Sequence, residues 1–369
     1  MLETEAEVAE FISGATQPLI IRGGGTRSVG RPLAGDVLEL SGLSGVTLYE
    51  PGALTIVVRS GTPVREIEDL LETENQRLAF EPYDLSGLSG ASGISTIGGV
   101  MATNASGPRR IQAGAARDYA LGVRFVDGTG TIIKNGGRVM KNVTGYDLVK
   151  LMMGSRGTLG VLTEVSLKVL PGVEQTTTLV IKEVSPHKAV SAMSRALSSP
   201  YEVSGAAWIS GAVWLRIEGF SASVAYRAAA LQKVLSPFGE NYLMPDADWS
   251  EVRDAKPLHG LDNVWRVSVK PSDGPAILNA LSSDCQTLMD WGGGLIWVGN
   301  TGGDVCAIHN ALQAHTAVLG GHATLIKASE TVRSSVSIFQ PEASDIVLLS
   351  SQLRARFDPR QILNRDLLT

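Results

Sequence analysis

Gly93-Ile-Ser-Thr-Ile-Gly-Gly-Val-Met-Ala-Thr-Asn-Ala-Ser-Gly107 is the stretch on which the reading of the first half turns. It lacks the Gly-Lys-Ser/Thr of a Walker A loop. It also lacks Gly-x-Gly-x-x-Gly spacing after a strand, so neither a P-loop nor a Rossmann domain fits. Small residues throughout let the backbone approach a flat ligand, and Ser95, Thr96, Asn104 and Ser106 offer hydrogen bonds. Two further segments share this character: Arg22-Gly-Gly-Gly-Thr-Arg-Ser28, directly after Leu19-Ile20-Ile21, and Gly154-Ser-Arg-Gly-Thr-Leu-Gly-Val-Leu-Thr163. Successive glycines can turn several N–H groups toward one anion. Three glycines in a row also make an ordinary turn.

Outward from these segments, glycine divides the chain. Of the 41 glycines, 27 lie at or before Gly172, whereas all six tryptophans fall at or after Trp208. Leu170-Pro171-Gly172 follows an alternating apolar run and reads as a boundary turn. At 369 residues, with 44% hydrophobic and 19% charged side chains, the chain has the composition of a soluble protein of about two domains. A net charge of −5 and the lack of a long basic run exclude a general nucleic-acid binder. Cys285 and Cys306, the two cysteines, make neither a disulfide framework nor a thiolate cluster and fit a reducing cytoplasm. The acidic start, Met1-Leu-Glu-Thr-Glu-Ala-Glu-Val, is unlike a signal peptide, and no apolar run approaches the ~18 residues of a membrane span. Peripheral attachment through a partner stays open.

The expected fold class is α+β. In residues 1–172, Leu19–Ile21, Thr55–Val58 and Leu121–Val126 read as strands, and Asp127-Gly-Thr-Gly130 as a hairpin turn. Helices are expected at Glu3–Ile12, Pro63–Leu71 and Tyr146–Met153. Residues 173–327 read as two β-α-β-β-α units, a duplicated ferredoxin-like arrangement in one antiparallel sheet. The first runs from a strand at Thr176–Glu183 to a helix at Ala222–Leu235. The second runs from a strand at Val264–Val269 to a helix at Val305–Leu319, with a further strand at Ala323–Ile326. Residues 328–369 hold a final helix, about Ala343–Phe357, and a tail.

Taken together, Thr96-Ile-Gly-Gly-Val-Met-Ala-Thr-Asn-Ala-Ser-Gly-Pro-Arg109, Gly114-Ala-Ala-Arg-Asp118, Lys141-Asn-Val-Thr-Gly-Tyr-Asp-Leu148 and Gly157-Thr-Leu-Gly-Val-Leu-Thr163 resemble the vanillyl-alcohol oxidase/PCMH-type FAD-binding flavoproteins, specifically the glycolate oxidase FAD-binding subunits. The resemblance covers nearly the whole chain. It implies a PCMH-type FAD-binding domain followed by a ferredoxin-like cap over the substrate, with the tail returning to the FAD domain. It assigns cofactor contacts to Arg22, Gly23, Gly24, Gly25, Thr26 and Ser28 in the first segment. In the second it assigns Gly93, Ser95, Thr96, Gly98, Gly99, Asn104 and Gly107, and in the third Gly157, Thr158, Gly160 and Val161. Asn364, in Phe357-Asp-Pro-Arg-Gln-Ile-Leu-Asn364, matches a family tail that returns to the flavin, although Arg365-Asp366 replaces the family's Pro-Gly. Arg117 and Asp118 are assigned too, with a surface or helix-start ion pair as the alternative. All five histidines lie beyond the FAD-binding segments, so a histidyl link within the first domain is excluded and FAD is expected to be non-covalent.

Oxidising a 2-hydroxy acid also needs a cation for the carboxylate and a base for the hydroxyl proton. Related D-2-hydroxyacid dehydrogenases use a histidine/glutamate metal site in the cap. Here Asp290-Trp-Gly-Gly-Gly-Leu-Ile-Trp297 stands in place of its first motif, with Asp290 and Trp297 at the histidine places, and Gly321-His322 replaces the later Glu-His pair. No metal site is expected. His322 is the candidate base, or simply a histidine beginning a strand. Arg266 is the candidate carboxylate clamp, or a member of an ordinary salt bridge. The resemblance implies a glycolate oxidase subunit that works beside a larger flavoprotein subunit and an iron–sulfur subunit. The alternatives are a stand-alone D-2-hydroxyacid (D-lactate) dehydrogenase and a non-catalytic assembly or electron-relay subunit.

Overall fold

The computed structural model describes residues 2–139 and 145–368. Lys141–Thr144, half of one motif named above, therefore lie outside the described residues. The first helix, Glu5–Gly14, starts two residues later than expected. Thr4 accepts from the Glu7 N–H while the Glu7 carboxylate accepts from the Thr4 N–H, and this capping box fixes the start.

β1 (Leu19–Arg22) pairs in parallel with β2 (Asp36–Glu39). Then come β3 (Val46–Glu50), β4 (Thr55–Arg59), the short β5 (Gln76–Arg77), β6 (Ala120–Val126), β7 (Ile132–Gly136), β8 (Val161–Lys168) and the short β9 (Leu170–Pro171). A five-stranded sheet runs β3-β4-β8-β6-β7, antiparallel at every junction. Against it packs the helix Val64–Glu72 through Val64, Ile67 and Leu71, spaced as one face of a helix requires. Leu170-Pro171 does more than turn. As β9 it pairs with β5 before the chain turns at Gly172.

The glycine-rich stretch that opened the reading is not all loop. Ile97–Thr103 is a helix whose Ile97, Val100 and Met101 are buried, and the chain leaves it at Asn104 in a left-handed conformation. The helix expected at Tyr146–Met153 shortens to Leu148–Met152, capped by the Asp147 carboxylate.

The second half holds β10 (Gln175–Ile181), β11 (Val203–Ile209), β12 (Ala212–Gly219), β13 (Asn241–Met244), β14 (Asn263–Ser268), β15 (Gln286–Asp290), β16 (Leu295–Asn300) and β17 (His322–Lys327). They form one eight-stranded sheet, β13-β10-β12-β11-β15-β16-β14-β17, antiparallel at every junction. The order is that of two ferredoxin-like units placed edge to edge, joined where Trp208 of β11 faces Met289 of β15. Helices Pro186–Leu197, Ser221–Leu235, Gly274–Asn279 and Val305–Leu319 supply the crossovers. Alternation along each strand sends Trp265 and Val267 into the core, where the Trp265 indole N–H donates to His309 Nδ1 at 3.3 Å.

Residues of the opposite set on that sheet meet the first half of the chain. Arg216 on β12 is 2% exposed and donates to both oxygens of Glu81, at 2.8 and 2.9 Å. Glu218, two residues on, accepts from Arg109 at 2.7 Å and from Arg77 at 3.1 Å. This buried network fastens the eight-stranded sheet to the segments around residues 77–81 and 109 of the first half. After β17, the tail returns to the first half of the chain. Arg360 donates to the carbonyls of Ile12 and Gly128, and Leu19 bridges to Leu363.

Candidate cofactor and substrate site

Two adjoining cavities lie where the sheets and the tail meet. The first, of about 420 Å³, runs along β1 and the segment after it and is closed by the helix Ile97–Thr103, by Gly157 and Gly160, and by Arg333, Asn364 and Leu367 of the tail. The second, of about 350 Å³, lies between the first domain and β14 and β17. They share Arg27, Val29, Thr103 and Arg156 as common walls.

The glycines of the first cavity have two separate roles. A Cβ on Gly24 would stand 1.5 Å from the Ile94 carbonyl oxygen, and one on Gly93 would stand 1.6 Å from the Gly24 oxygen. These two glycines let one loop rest on the other. Gly25, at φ 73°, and Gly99 are not crowded in this way: an added Cβ would meet only ordinary contacts, at 4.0 Å and 3.6 Å. That is the cradle a bound group would fill. Ser60 Oγ, on the same wall, is buried without a hydrogen-bond partner among the described residues. Arg22, Arg27, Arg31 and Arg333 surround the cavity, and among the described residues Glu330 is the one acidic side chain on its walls. A cationic cleft with glycine backbone along one wall and aliphatic side chains such as Ile20, Ile21 and Val29 along another suits the diphosphate of a dinucleotide.

Of the residues assigned from the sequence, Arg22, Gly23, Gly24, Gly25, Thr26, Ser28, Thr96, Gly98, Gly99, Gly157, Gly160 and Asn364 come together on the first cavity. Asn104 lines the second. The others do not line either cavity. Gly93 supports Gly24, and Ser95 Oγ accepts from Arg27 at 2.7 Å. The Gly107 carbonyl accepts from the Trp291 indole N–H at 3.0 Å. Thr158 is turned to the Ser155 carbonyl, and Val161 lies in the core beside β6. Arg117 and Asp118 form an exposed pair 3.9 Å apart, and Asp118 accepts from the Ala115 N–H, which is the helix-start alternative weighed above. Asn364 does not stand free. Its amide oxygen accepts from the Ile21 N–H and its amide nitrogen donates to the Arg156 carbonyl, both at 2.8 Å, tying the tail to two loops.

The second cavity gathers the two candidates for chemistry. Arg266 pairs with Thr324 and Ser268 with His322 across β14 and β17, so alternation turns all four side chains to one face. All four line the cavity, with Tyr83, Arg110, Arg156, Trp291 and Phe339, and among the described residues no acidic side chain is on these walls. Arg110 and Arg266 stack on the Trp291 ring, 4.8 and 5.0 Å from its centre, and Arg156 lies 4.9 Å from the centre of Phe339. Arg266 Nε is buried with no hydrogen-bond partner among the described residues. Burial works against the charge of Arg27, Arg156 and Arg266, a penalty that an anion entering the cavity would relieve. His322 sits exposed on the cavity wall. Partial burial and then the charges of Arg266 and Arg110 hold its pKa below 6.5, so the ring is a neutral base at physiological pH.

Reading the sequence alone missed Arg27, Arg110, Arg156 and Trp291. Each arginine lies inside or beside a quoted glycine segment, so an available signal was charge placed within small-residue loops. Trp291 had no local signal, because its value depends on arginines from two different parts of the chain. Asp290, at a histidine place of the family motif, lies outside the cavity. It is 2% exposed, accepts from the Trp291 N–H at 2.7 Å, and has its pKa pushed up to about 7, mainly by burial. Trp297 is buried in β16, its ring 5.9 Å from the Arg266 guanidinium.

Comparison with known proteins agrees with this geometry. The FAD binding domain family matches residues 1–136. Glycolate oxidase subunit GlcE of Escherichia coli strain K12 is 35% identical over 361 residues, 97% of this chain and 94% of that protein. Glycolate oxidase subunit GlcD of Bacillus subtilis is 35% identical over 166 residues, 44% of this chain and 34% of its own length. D-lactate dehydrogenase of Anaerostipes hadrus is 34% identical over 169 residues, 46% of this chain and 33% of its own. Among solved structures, alkyldihydroxyacetonephosphate synthase superposes with a TM-score of 0.71 at 15% identity, covering 98% of this chain and 73% of that one, which establishes a shared fold.

Proposed function

Because the chain belongs to the family of FAD-binding glycolate oxidase subunits, an FAD-dependent oxidoreductase family, we propose that it oxidises glycolate to glyoxylate inside a multi-subunit oxidase. The observation that carries this reading is the junction of the two cavities: a cleft suited to a diphosphate opens, past Arg27 and Arg156, into a cationic chamber holding a neutral histidine. The glycines at 23–25, Thr26, Thr96, Gly98, Gly99, Ser60 and Arg27 would hold the cofactor non-covalently. FAD, when bound, supplies the acceptor for the two electrons that leave the substrate. Arg266, held against Trp291, orients the carboxylate by a charge-assisted bond. His322 takes the hydroxyl proton onto an imidazole nitrogen as the α-hydrogen leaves as hydride, and the carbinol becomes a carbonyl.

Electrons then pass to partners, a larger flavoprotein subunit and an iron–sulfur subunit. Two cysteines are too few for a four-cysteine cluster in this chain. Among the described residues no helix is long and apolar enough to cross a membrane, and we place the complex in the cytoplasm, with peripheral membrane contact at most.

Anaerobic mixing with glycolate tests the reading. Flavin bleaching in the complex, lost in His322→Ala, supports it. Bleaching by D-lactate in the isolated chain would favour a stand-alone dehydrogenase. A second reading, a flavin that only relays electrons, draws support from Asp290 and Trp297 at the family's histidine places. It predicts flavin bound here that no 2-hydroxy acid reduces directly.

A further inference from the structure

Every residue from Pro341 to Ser350 is exposed, and the helix Ser344–Phe357 has no buried residue. Yet four successive aliphatic side chains lie in that exposed part: Ile346, Val347, Leu348 and Leu349 are 48%, 52%, 58% and 63% exposed. Only from Leu353 and Phe357 onward does the helix touch the first domain. Its beginning therefore projects into water. The projecting half is also a poor helix by itself. Ala343 at its start gives no side-chain cap, two of the four aliphatics are β-branched, and Ser350 and Ser351 follow them. A helix of this length without tertiary support is marginal in water.

We propose that residues 341–353 are the docking element by which this chain enters a groove on the larger flavoprotein subunit of the oxidase. The proposal rests on the reading above that the chain works in a complex. Three observations define the occupant. Four successive residues sweep roughly 300° of the helix circumference, so a flat surface or a single facing helix leaves part of them wet and an enclosing groove does not. Glu342 and Asp345 are the only charges from 341 to 353 and both are acidic, which fits a basic lip on the groove and opposes an anionic lipid surface. The helix is also continuous with the cofactor site at both ends. Phe339, just before it, lines the second cavity, and Asn364 and Leu367, just after it, line the first. A subunit that grips this helix is thereby placed beside the walls of the flavin site, where an electron partner has to stand.

The test is co-expression of the full chain with the larger flavoprotein subunit of the same organism, followed by size-exclusion chromatography with flavin absorbance recorded. Wild type should co-elute with that subunit, and so should Val318→Asp, a control at a still more exposed aliphatic position (87%) on the helix Val305–Leu319. Leu348→Asp combined with Leu349→Asp should elute alone with its flavin retained, association having weakened by roughly 100-fold or more. Should that variant not fold, Glu342→Lys with Asp345→Lys provides the second arm, and weakened association is again expected. The proposal is overturned if either folded variant co-elutes like wild type. It is overturned as well if wild type instead self-associates through this helix, binds anionic vesicles through it, or fails to join the flavoprotein subunit. A wild-type chain that binds no FAD would sink the functional reading instead.

Discussion

Replacing Asp290 with asparagine should stabilise the protein in a pH-dependent way. The carboxyl is 2% exposed and accepts one hydrogen bond, from the Trp291 N–H, which an asparagine oxygen can also accept. Burial, with Glu81 adding to it, pushes its pKa from the ordinary 3.8 up to about 7. Between those two values the folded protein keeps a proton that the unfolded chain has lost. Stability conferred by this group therefore falls as pH rises, by about 1.4 kcal/mol per pH unit, and levels off above about 7. Summed over the interval, the penalty is on the order of 4 kcal/mol. The Asp290→Asn variant would carry none of it. That variant should match wild type near pH 4 and exceed it by a few kcal/mol at about pH 8, in urea unfolding of the FAD-saturated protein. Every other group is common to both proteins and drops out of the difference. A stability difference that stays constant from about pH 5 to 8 would refute the claim that Asp290 is a proton-holding buried acid.

Gly24→Ala should abolish flavin retention, because its Cβ would lie 1.5 Å from the Ile94 oxygen, while Gly52→Ala, with nothing within 4 Å, should retain it; absorbance of the purified proteins decides. His322→Gln should slow flavin reduction by glycolate by about 10²–10⁴-fold. In wild type the same rate should be flat above neutral pH and fall only on acidification below 6.5, since the pKa of His322 is lowered; stopped-flow at several pH values checks this. Arg216→Met should leave Glu81 buried beside a lost partner and cost about 3–5 kcal/mol in thermal or urea unfolding. The carboxylates of Glu81 and Glu218 have lowered pKa values, through their arginine partners and against burial. Their contribution is full above the ordinary carboxylate range and is lost as pH falls below it, so the Arg216→Met effect should shrink in acid.

Much of the architecture was legible because it follows from local periodicity. The two ferredoxin-like units of the second half show as alternating apolar runs at the right intervals, and the sheet realises them with one strand more, the edge strand β13 at Asn241–Met244, which the pattern did not reveal. The short helix Ile97–Thr103 was hidden by its glycines, although Ile97, Val100 and Met101 carry the helical spacing. The diphosphate cleft was legible in kind, since glycine nests are local. Which glycine is left uncrowded and which rests on another loop was not: Gly24 and Gly25 are neighbours with different surroundings, and only the approach of residues 93–94 distinguishes them. The chamber around His322 was legible for two of its members. The other cations arrive from positions 27, 110 and 156, and no single-segment pattern joins them to Trp291.

A flavin held beside an anion-binding chamber is the central claim, and one titration reaches both parts of it. Cofactor-free chain titrated with FAD should saturate at one equivalent, and oxalate added to that complex should perturb the flavin spectrum in wild type but far less in Arg266→Met. Failure to bind FAD, or an oxalate response unchanged by loss of Arg266, would contradict it.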